Sequence, residues 1–409
     1  MIQPDKDYGD GKEDPTGGER IASFESDFAI TESGVHRPKI VVCIGSKGGS
    51  YRQLVKGEDD IRQDAIMSQV FTYVNNLMKT RKTDNVTSED SGSSKAVKRR
   101  TRHNLKMVTY NILPLSPSSG VLEWVEGTLP INDFVNDSGS KRTGAHSRYY
   151  PDEWSYRICR STLEGSPPDK KRQSFDEICA RFSPSFRFFF LERFGCMESW
   201  HIAKMNFTRS VAVSSIVGHI LGIGDRHLGN ILIHQGTGEV VHIDFGIVFE
   251  QGKLLPIPEQ VPFRLTRNII DGMGPCGTEG LFVKVAEETM SMLRDNSREL
   301  LTILSAVVAD PLYKWNMNPL EARRRQAEKG EDKGYKLKDR GDGSTSTSDE
   351  KSQSEAIKTI SKIKEKLQGY EDSTSGEQQG VEGQVQLLIN SARDPDNLCT
   401  MFTGWGSWV

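Results

Sequence analysis

Apolar and polar positions along this chain follow two periods, broken by stretches with no period at all, and each predicts a different kind of segment. Short apolar runs closed off by Gly, Pro or Ser predict strands at 39–44, 52–56, 107–113, 121–125, 231–234 and 240–243. The first two are joined by the glycine turn GSKGGS at 45–50. The last two are joined by QGTGE at 235–239, the length of a five-residue hairpin loop. Helical spacing puts Ile66, Val70, Val74 and Leu77 on one face behind Asp60 as N-cap. Residues 175–190 are aromatic-rich and 209–221 almost entirely apolar or small, and both read as helices.

Elsewhere the pattern lapses. Residues 1–20 are rich in Asp, Gly and Glu and are expected to be disordered, with globular patterning from Phe24. Residues 79–103, ending in KRRTR, read as a polar insertion. Residues 321–380 are charged and rich in Ser and Gly, which predicts a flexible insertion interrupted by one helix at 355–367, where Ile357, Ile360, Ile363 and Leu367 align. The final stretch, ending FTGWGSWV, is apolar again, and Trp405 and Trp408 are expected to dock on the neighbouring globular part.

Composition narrows the classes. The 409 residues suggest two to three domains at roughly 150 residues each. A net charge of −3 argues against a general nucleic-acid or membrane coat. Six cysteines form no C-x-x-C pair, which argues against a zinc ribbon or disulfide scaffold and fits a reducing compartment. The longest apolar stretch, 211–223, is too short to span a bilayer and carries His219, and the acidic start does not read as a secretory signal.

The chemistry gathers in ILGIGDRHLGNILIHQGTGEVVHIDFG, residues 220–246. A hairpin pairing Ile231 with Ile243 and His234 with Val240 would set Asn230 opposite Asp244 just past its open end. Directly opposed side chains start about 5 Å apart. An amide oxygen and a carboxylate at that separation can share Mg²⁺, a hard ion that also recruits phosphate. Asp225 precedes Asn230 by five residues, the Asp-to-Asn spacing that protein kinases use, and Asp244-Phe245-Gly246 supplies a D-F-G. Here the triplet is Asp-Arg-His, so His227 follows the aspartate and could support the transferring phosphate. In the N-terminal half, Lys56 follows the glycine turn and could reach phosphates, with Asp64 one turn into the next helix to hold it. An ordinary surface pair of Lys56 with Asp59 or Asp64 is the plainer reading of those residues alone. Glu123-Trp124-Val125 would form a hinge presenting backbone to adenine with Trp124 as a stacking face, or Trp124 is simply core.

These motifs resemble the phosphatidylinositol 3-kinase-related protein kinases, and within them the branch like the ataxia telangiectasia mutated (ATM) kinase. The resemblance rests on LVKGEDDIRQDAIM (54–67), GDRHLGNIL (224–232), HIDFG (242–246), FEQGKLLPIPEQVPFRLTRNIIDGMG (249–274) and DPLYKWNMNPL (310–320), and on an ending that looks like a FATC domain. It implies an α+β, bilobal kinase fold with a mostly β N-lobe (25–122), a hinge (123–126) and a helical C-lobe (127–320). The C-lobe would hold a catalytic loop at 222–230 and an activation segment at 242–266. A charged insertion (321–376) and a FATC tail (377–409) would follow a disordered segment at 1–24.

The resemblance also assigns roles. Asp225 would be the catalytic base or orient the substrate hydroxyl, and His227 would stabilise the transition state. Asn230 and Asp244 would hold metal. Lys56 would bind phosphate with Asp64 supporting it, alongside Ser46, Lys47 and Gly48 of the glycine turn. Trp124 and Val125 would meet adenine, while Leu54, Leu232 and Ile243 line its pocket. The implied cofactors are ATP and Mg²⁺, with Mn²⁺ as a substitute. The implied substrates are proteins with Ser or Thr followed by Gln. A nuclear DNA-damage checkpoint role, a homodimer and contact with DNA-break sensor complexes follow from the same resemblance, without the N-terminal solenoid that recruits them, a nucleic-acid motif or a membrane segment. Two other classes compete. A phosphoinositide lipid kinase shares the fold, but between Phe245 and Thr266 the only cations are Lys253 and Arg264, against Glu250 and Glu259. An inactive scaffold would not need Lys56, Asp225, Asn230 and Asp244 together. Ser352-Gln353 matches the implied target dipeptide and is a candidate for self-modification.

Overall fold

Alternating runs in the first third of the chain build an antiparallel sheet, and the apolar and helical runs that follow build a larger helical unit. The computed structural model describes residues 19–31, 37–58, 60–84, 105–138, 142–308, 348–372 and 376–408, without the side chains of 80–84, 307–308 and 348–356. The chain divides into one unit of residues 1–72 and 109–127 and a second of 73–108 and 128–409.

The first unit holds β1 (Ile21–Ile30), β2 (Lys39–Gly45), β3 (Ser50–Gly57), the start of α1 (Arg62–Asp84), β4 (Ile112–Ser116) and β5 (Ser119–Glu123). The strands lie in the order β1-β2-β3-β5-β4. The expected strands at 39–44 and 52–56 are β2 and β3, paired Lys39 to Val55 through Ile44 to Ser50. β1 was not expected. Its boundary falls inside the segment read as disordered, and all ten residues are exposed, so no buried face marks it in the sequence. The run 107–113 is only partly a strand, since β4 begins at Ile112. Met107 instead exchanges two hydrogen bonds with the Asn75 side chain (2.8 and 2.9 Å), so helix side chains satisfy backbone groups that a ladder would otherwise claim.

Asp60 accepts the Arg62 N–H at 3.1 Å, close to the expected cap. The buried face of α1 is Met67, Val70, Phe71, Val74 and Met78. The predicted stripe was rotated, with Ile66 and Leu77 only half-buried, and α1 continues into the segment read as a polar insertion.

The second unit opens with β6 (Thr128–Pro130), α2 (Ile131–Val135), α3 (Ala145–Tyr149), α4 (Tyr156–Glu164), α5 (Lys171–Arg181), α6 (Arg187–Arg193) and α7 (Met197–Leu221). β7 (Ile231–His234), β8 (Val240–His242), α8 (Arg267–Met273), α9 (Leu281–Asp295) and α10 (Ser297–Val308) follow. α11 (Ser348–Gln368), α12 (Val381–Arg393) and α13 (Pro395–Leu398) complete it. The aromatic run 175–190 is two helices, not one. It breaks at Ser183-Pro184, where proline cannot continue the hydrogen-bond ladder, and Phe182, Phe186, Phe189 and Phe190 all remain buried. α7 begins twelve residues before the predicted helix, and Gly222 ends it in the left-handed conformation (φ 60°).

The tail docks as expected. Trp408 (1% exposed) and Trp405 (7%) join Cys159 and Leu163 of α4 and Phe175, Ile178 and Phe182 around α5 in one core. The charged insertion is corrected in part. The helix expected at 355–367 is present within α11 (Ser348–Gln368), with Ile363 and Leu367 buried and Ile357 exposed, and it is held to α7 by the Lys366 bond to the His219 carbonyl rather than lying in a flexible stretch. Ser352 lies on α11 with its side chain outside the described residues, as are 85–104 and 309–347. All six cysteines are free thiols, and no helix among the described residues is long and apolar enough to cross a membrane.

Candidate functional site

The ribbon β7–β8 forms where expected, but its register differs by one residue. Ile231 pairs with His242, Leu232 with Val241 and Ile233 with Val240, so the predicted Ile231–Ile243 and His234–Val240 pairs are corrected. The five residues 235–239 lie between the strands as anticipated, and the closing bonds join His234 to residues within them. The His234 N–H donates to the Glu239 carbonyl at 2.8 Å, and Gly238 (φ 75°) donates back to His234. A third strand, β6, pairs with β7 and was hidden in the three residues TLP.

The slip leaves Asn230 across from Ile243, whose N–H donates to the Asn230 carbonyl at 3.1 Å. Asp244 comes one residue later with φ 59°, so the backbone turns at the end of the ribbon where Asn230 sits. Both aspartates of the site are left-handed, Asp225 having φ 56°, a conformation that costs a non-glycine residue and persists only where the surroundings hold it.

Those surroundings are specific. Arg226, 4% exposed, donates to the Gly224 carbonyl at 2.8 Å, to the Ile243 carbonyl at 2.8 Å and to the Asp244 carbonyl. The middle residue of the D-R-H triplet therefore ties its own loop to the D-F-G backbone. Sequence reasoning left it without a role, although an arginine between two candidate catalytic residues was the available signal. The Asn230 amide nitrogen donates to the Asp225 carbonyl at 3.0 Å, which makes its oxygen the atom for a metal. His227 Nδ1 accepts the Gly229 N–H at 3.1 Å, so a neutral ring carries its proton on Nε2. Desolvation, reinforced by the Arg226 charge, pushes neighbouring His242 down to about 3. One amide oxygen and one carboxylate are a hard donor set that fits Mg²⁺ completed by phosphate oxygens and water. Among the described residues no cluster of three or more His, Cys, Asp or Glu competes as a metal site.

The segment after D-F-G is pinned at both ends. The N–H groups of Phe249 and Glu250 donate to Leu221 and Gly222, and Gly224 donates to Ile247. The Glu250 carboxylate takes Lys366 at 2.7 Å, Lys362 at 3.0 Å and Lys253 at 3.1 Å. Burial alone would raise Glu250, but the lysines outweigh it, Lys366 first, and hold it well below the usual carboxylate range. Lys366 also donates to the His219 carbonyl at 2.8 Å, and His219 Nε2 meets Glu371 at 2.9 Å. Sequence reasoning missed this clasp because Lys362 and Lys366 lay in a segment read as a flexible insertion.

In the first unit, the glycine turn is a cradle of backbone donors. Lys47 and Gly49 N–H groups donate to the Glu19 carboxylate at 2.7 and 3.2 Å, and the Tyr51 hydroxyl joins at 2.6 Å. Ser46 and Gly48 are exposed, with Gly48 at φ 83°. Lys56 pairs with Gly120 and Leu54 with Leu122 across β3 and β5, and Asp64 is buried in the first turn of α1. Trp124 is half-buried rather than core. The Arg52 guanidinium lies 5.1 Å from its ring and pairs with Glu126, while Val125 is also half-buried. Leu232 is buried and Ile243 half-buried.

Comparison with known proteins agrees with this geometry. The family described as phosphatidylinositol 3- and 4-kinase matches residues 50–317, and the FATC domain matches 378–409. The chain is 44% identical over 385 residues to the serine/threonine-protein kinase ATM of Arabidopsis thaliana, covering 94% of this chain and 9% of that protein. It is 42% identical to the serine-protein kinase ATM of Sus scrofa, covering 97% and 13%. The solved FAT and kinase domain of CtTel1 superimposes with a TM-score of 0.78 at 36% identity, covering 97% of this chain and 24% of that one. The chain thus spans about a tenth of the length of the curated relatives it matches. A β-sheet unit followed by a helical one, as the kinase fold requires, and a match that takes in both the D-R-H loop and the D-F-G segment place this chain in the phosphatidylinositol 3- and 4-kinase family, with a FATC domain behind it.

Proposed function

We propose that the chain transfers the γ-phosphate of ATP to serine or threonine hydroxyls of proteins. The observation that carries this is the ribbon end, where Asp225, Asn230 and Asp244 are gathered by Arg226 and the Asn230 amide. Asp225 accepts or orients the substrate hydroxyl proton and His227, with Nε2–H outward from its own loop bond, supports the charge growing on the transferred group. Asn230 Oδ1 and the Asp244 carboxylate hold Mg²⁺, or Mn²⁺ in its place. When bound, that ion would supply charge neutralisation at the phosphates. Lys56, supported by Asp64, binds the phosphates together with Ser46, Lys47 and Gly48; the adenine-binding residues are Leu54, Trp124 and Val125 in the first unit and Leu232 and Ile243 in the second.

Protein rather than lipid is favoured by what the activation segment's cations do. Lys253 is tied to Glu250 and to Asp372 (2.8 Å), and Arg264 is buried, so neither is presented to inositol phosphates. The relatives' names, serine/threonine-protein kinase, support the same choice. We extend it to Ser/Thr-Gln targets, nuclear DNA-damage signalling and a homodimer. The last is supported by solved Tel1 structures described as a C2-symmetric dimer and a butterfly symmetric dimer. The test offers radiolabelled ATP with a Ser-Gln peptide, its Ser-Ala and Ser-Glu counterparts, and phosphoinositide vesicles. The Ser-Gln peptide is expected to be labelled, and Asp225→Ala to cut turnover by about 10²–10⁴-fold. Labelling of lipid alone, or full activity in Asp225→Ala, would overturn the assignment.

A further inference from the structure

We infer that Glu259, in the activation segment, is the positioning residue that holds the Asp225 backbone in its left-handed conformation. The consequence for turnover rests on the kinase reading above, but the seat itself does not. Glu259 Oε1 accepts the Asp225 N–H at 2.7 Å, bridging 34 residues of chain. The loop around Asp225 is short and its φ of 56° is unfavourable for any residue with a Cβ. A charged acceptor on that N–H is a strong restraint on the peptide plane, because hydrogen bonds to ionised groups are shorter and stronger than neutral ones.

Two glycines show that the seat is built for this carboxylate. A Cβ on Gly252 would lie 2.4 Å from Glu259 Cδ, and one on Gly224 would lie 2.8 Å from Glu259 Oε2. Neither glycine has a positive φ, so backbone freedom is not what requires them. At Gly252 the space is taken by the carboxylate alone, and at Gly224 the carboxylate shares it with Ile247 Cγ2, also 2.8 Å from such a Cβ. Glu259 is also anchored through its own backbone, its N–H donating to the Gly252 carbonyl at 3.1 Å.

Behind Glu259 stands the C-terminal tail. Arg264 is 4% exposed, donates to the Gly406 carbonyl at 3.0 Å, and lies 5.2 Å from the Trp405 ring centroid. Burial pushes its guanidinium down to about 9, with Glu259 the leading opposing influence. Arg264 lines a small cavity together with Arg226, the residue that holds the D-F-G carbonyls. Half-buried Glu259 is thus linked to the tail through its electrostatic influence on buried Arg264, which holds the Gly406 carbonyl.

The experiment compares Glu259→Ala, Glu259→Gln, Gly252→Ala and Gly252→Ala/Glu259→Ala in the 409-residue chain. It reads amide hydrogen exchange over residues 222–230 and steady-state transfer to the Ser-Gln peptide. Glu259→Ala is expected to speed exchange and to lower kcat about tenfold or more, with KM for ATP within about twofold. Glu259→Gln keeps an acceptor oxygen at the same reach and is expected to retain kcat within about threefold of the parent. Gly252→Ala should lower kcat alone yet add little once Glu259 is gone, since both act on one seat. Equal losses in the Ala and Gln variants, or unchanged exchange in Glu259→Ala, would overturn the proposal. A parent chain that transfers no phosphate but whose exchange still depends on Glu259 would sink the kinase reading and support the seat.

Discussion

Two loops of this protein are read as handling phosphate, and they are built in opposite ways. The catalytic loop and the D-F-G turn are enforced by buried side chains. Arg226 spans three carbonyls, Asn230 takes a fourth, and both aspartates are left-handed. The glycine turn at 45–50 is exposed at Ser46–Gly48, closes on its own backbone (Gly45 to Gly49, 2.8 Å) and turns the Lys47 and Gly49 N–H groups onto the carboxylate of Glu19. A loop proposed to act where bonds are made and broken must have its geometry held from within. Where an anion is only gripped, a ring of N–H donors suffices, and a glutamate of the same chain satisfies it as a phosphate oxygen would. The contrast predicts large effects from buried positions in the first loop and small ones in the second.

The largest should come from Arg226→Ala, which releases the Ile243 and Asp244 carbonyls. Turnover is expected to fall by about 10²-fold, the scale of a misplaced reacting group, with ATP affinity less affected. Unchanged kcat would mean that the buried arginine does not set the geometry. Next is the clasp behind the activation segment. Lys366→Met removes the nearest partner of Glu250 while Lys253 and Lys362 still face it, and denaturant unfolding should show a loss of about 1–3 kcal/mol. Lys366→Met/Glu250→Gln should recover much of it, since the cost lies in the weakened pairing of the Glu250 charge.

Acid should act on the same clasp. Burial, helped by Lys366, holds His219 below its ordinary 6.5 although Glu371 pulls the other way. The unfolded chain therefore binds the proton more readily, so this contribution is fully present above about 6.5 and drains away as the pH falls below it. Melting at pH 7.5 and 5.5 should show the drop, and His219→Gln should lessen it. The smallest effect is expected at the glycine turn. Glu19→Gln should change the apparent KM for ATP by about fivefold at most, the size of an exposed ion-pair effect. A larger change would show that the turn is not the loosely held element described.

The comparison also explains what the sequence could convey. Strands β7 and β8 were legible because their short apolar runs are buried, and β2 and β3 because each is an apolar-rich run that ends at glycine. β1 was not, because all ten of its residues are exposed and no face distinguishes itself. The ribbon was legible but its register was not. That depended on where the chain closes between His234 and Glu239, a matter of Gly238 adopting a positive φ that the spacing of apolar residues does not encode. The candidate residues Asp225, Asn230 and Asp244 stood out by type and spacing. Arg226, Glu259 and Lys366 did not, because each acts through a partner distant in sequence: 17 residues away for Arg226, 34 for Glu259 and 147 for Lys366.

The central claim is that Asn230 and Asp244 at the ribbon end hold a divalent ion that recruits the nucleotide. Titration calorimetry with a non-hydrolysable ATP analogue, with and without Mg²⁺, tests it on the parent chain and on Asp244→Ala. The parent should bind about tenfold or more tightly with Mg²⁺ present, and Asp244→Ala should lose that difference. An equal enhancement by Mg²⁺ in both proteins would contradict the account.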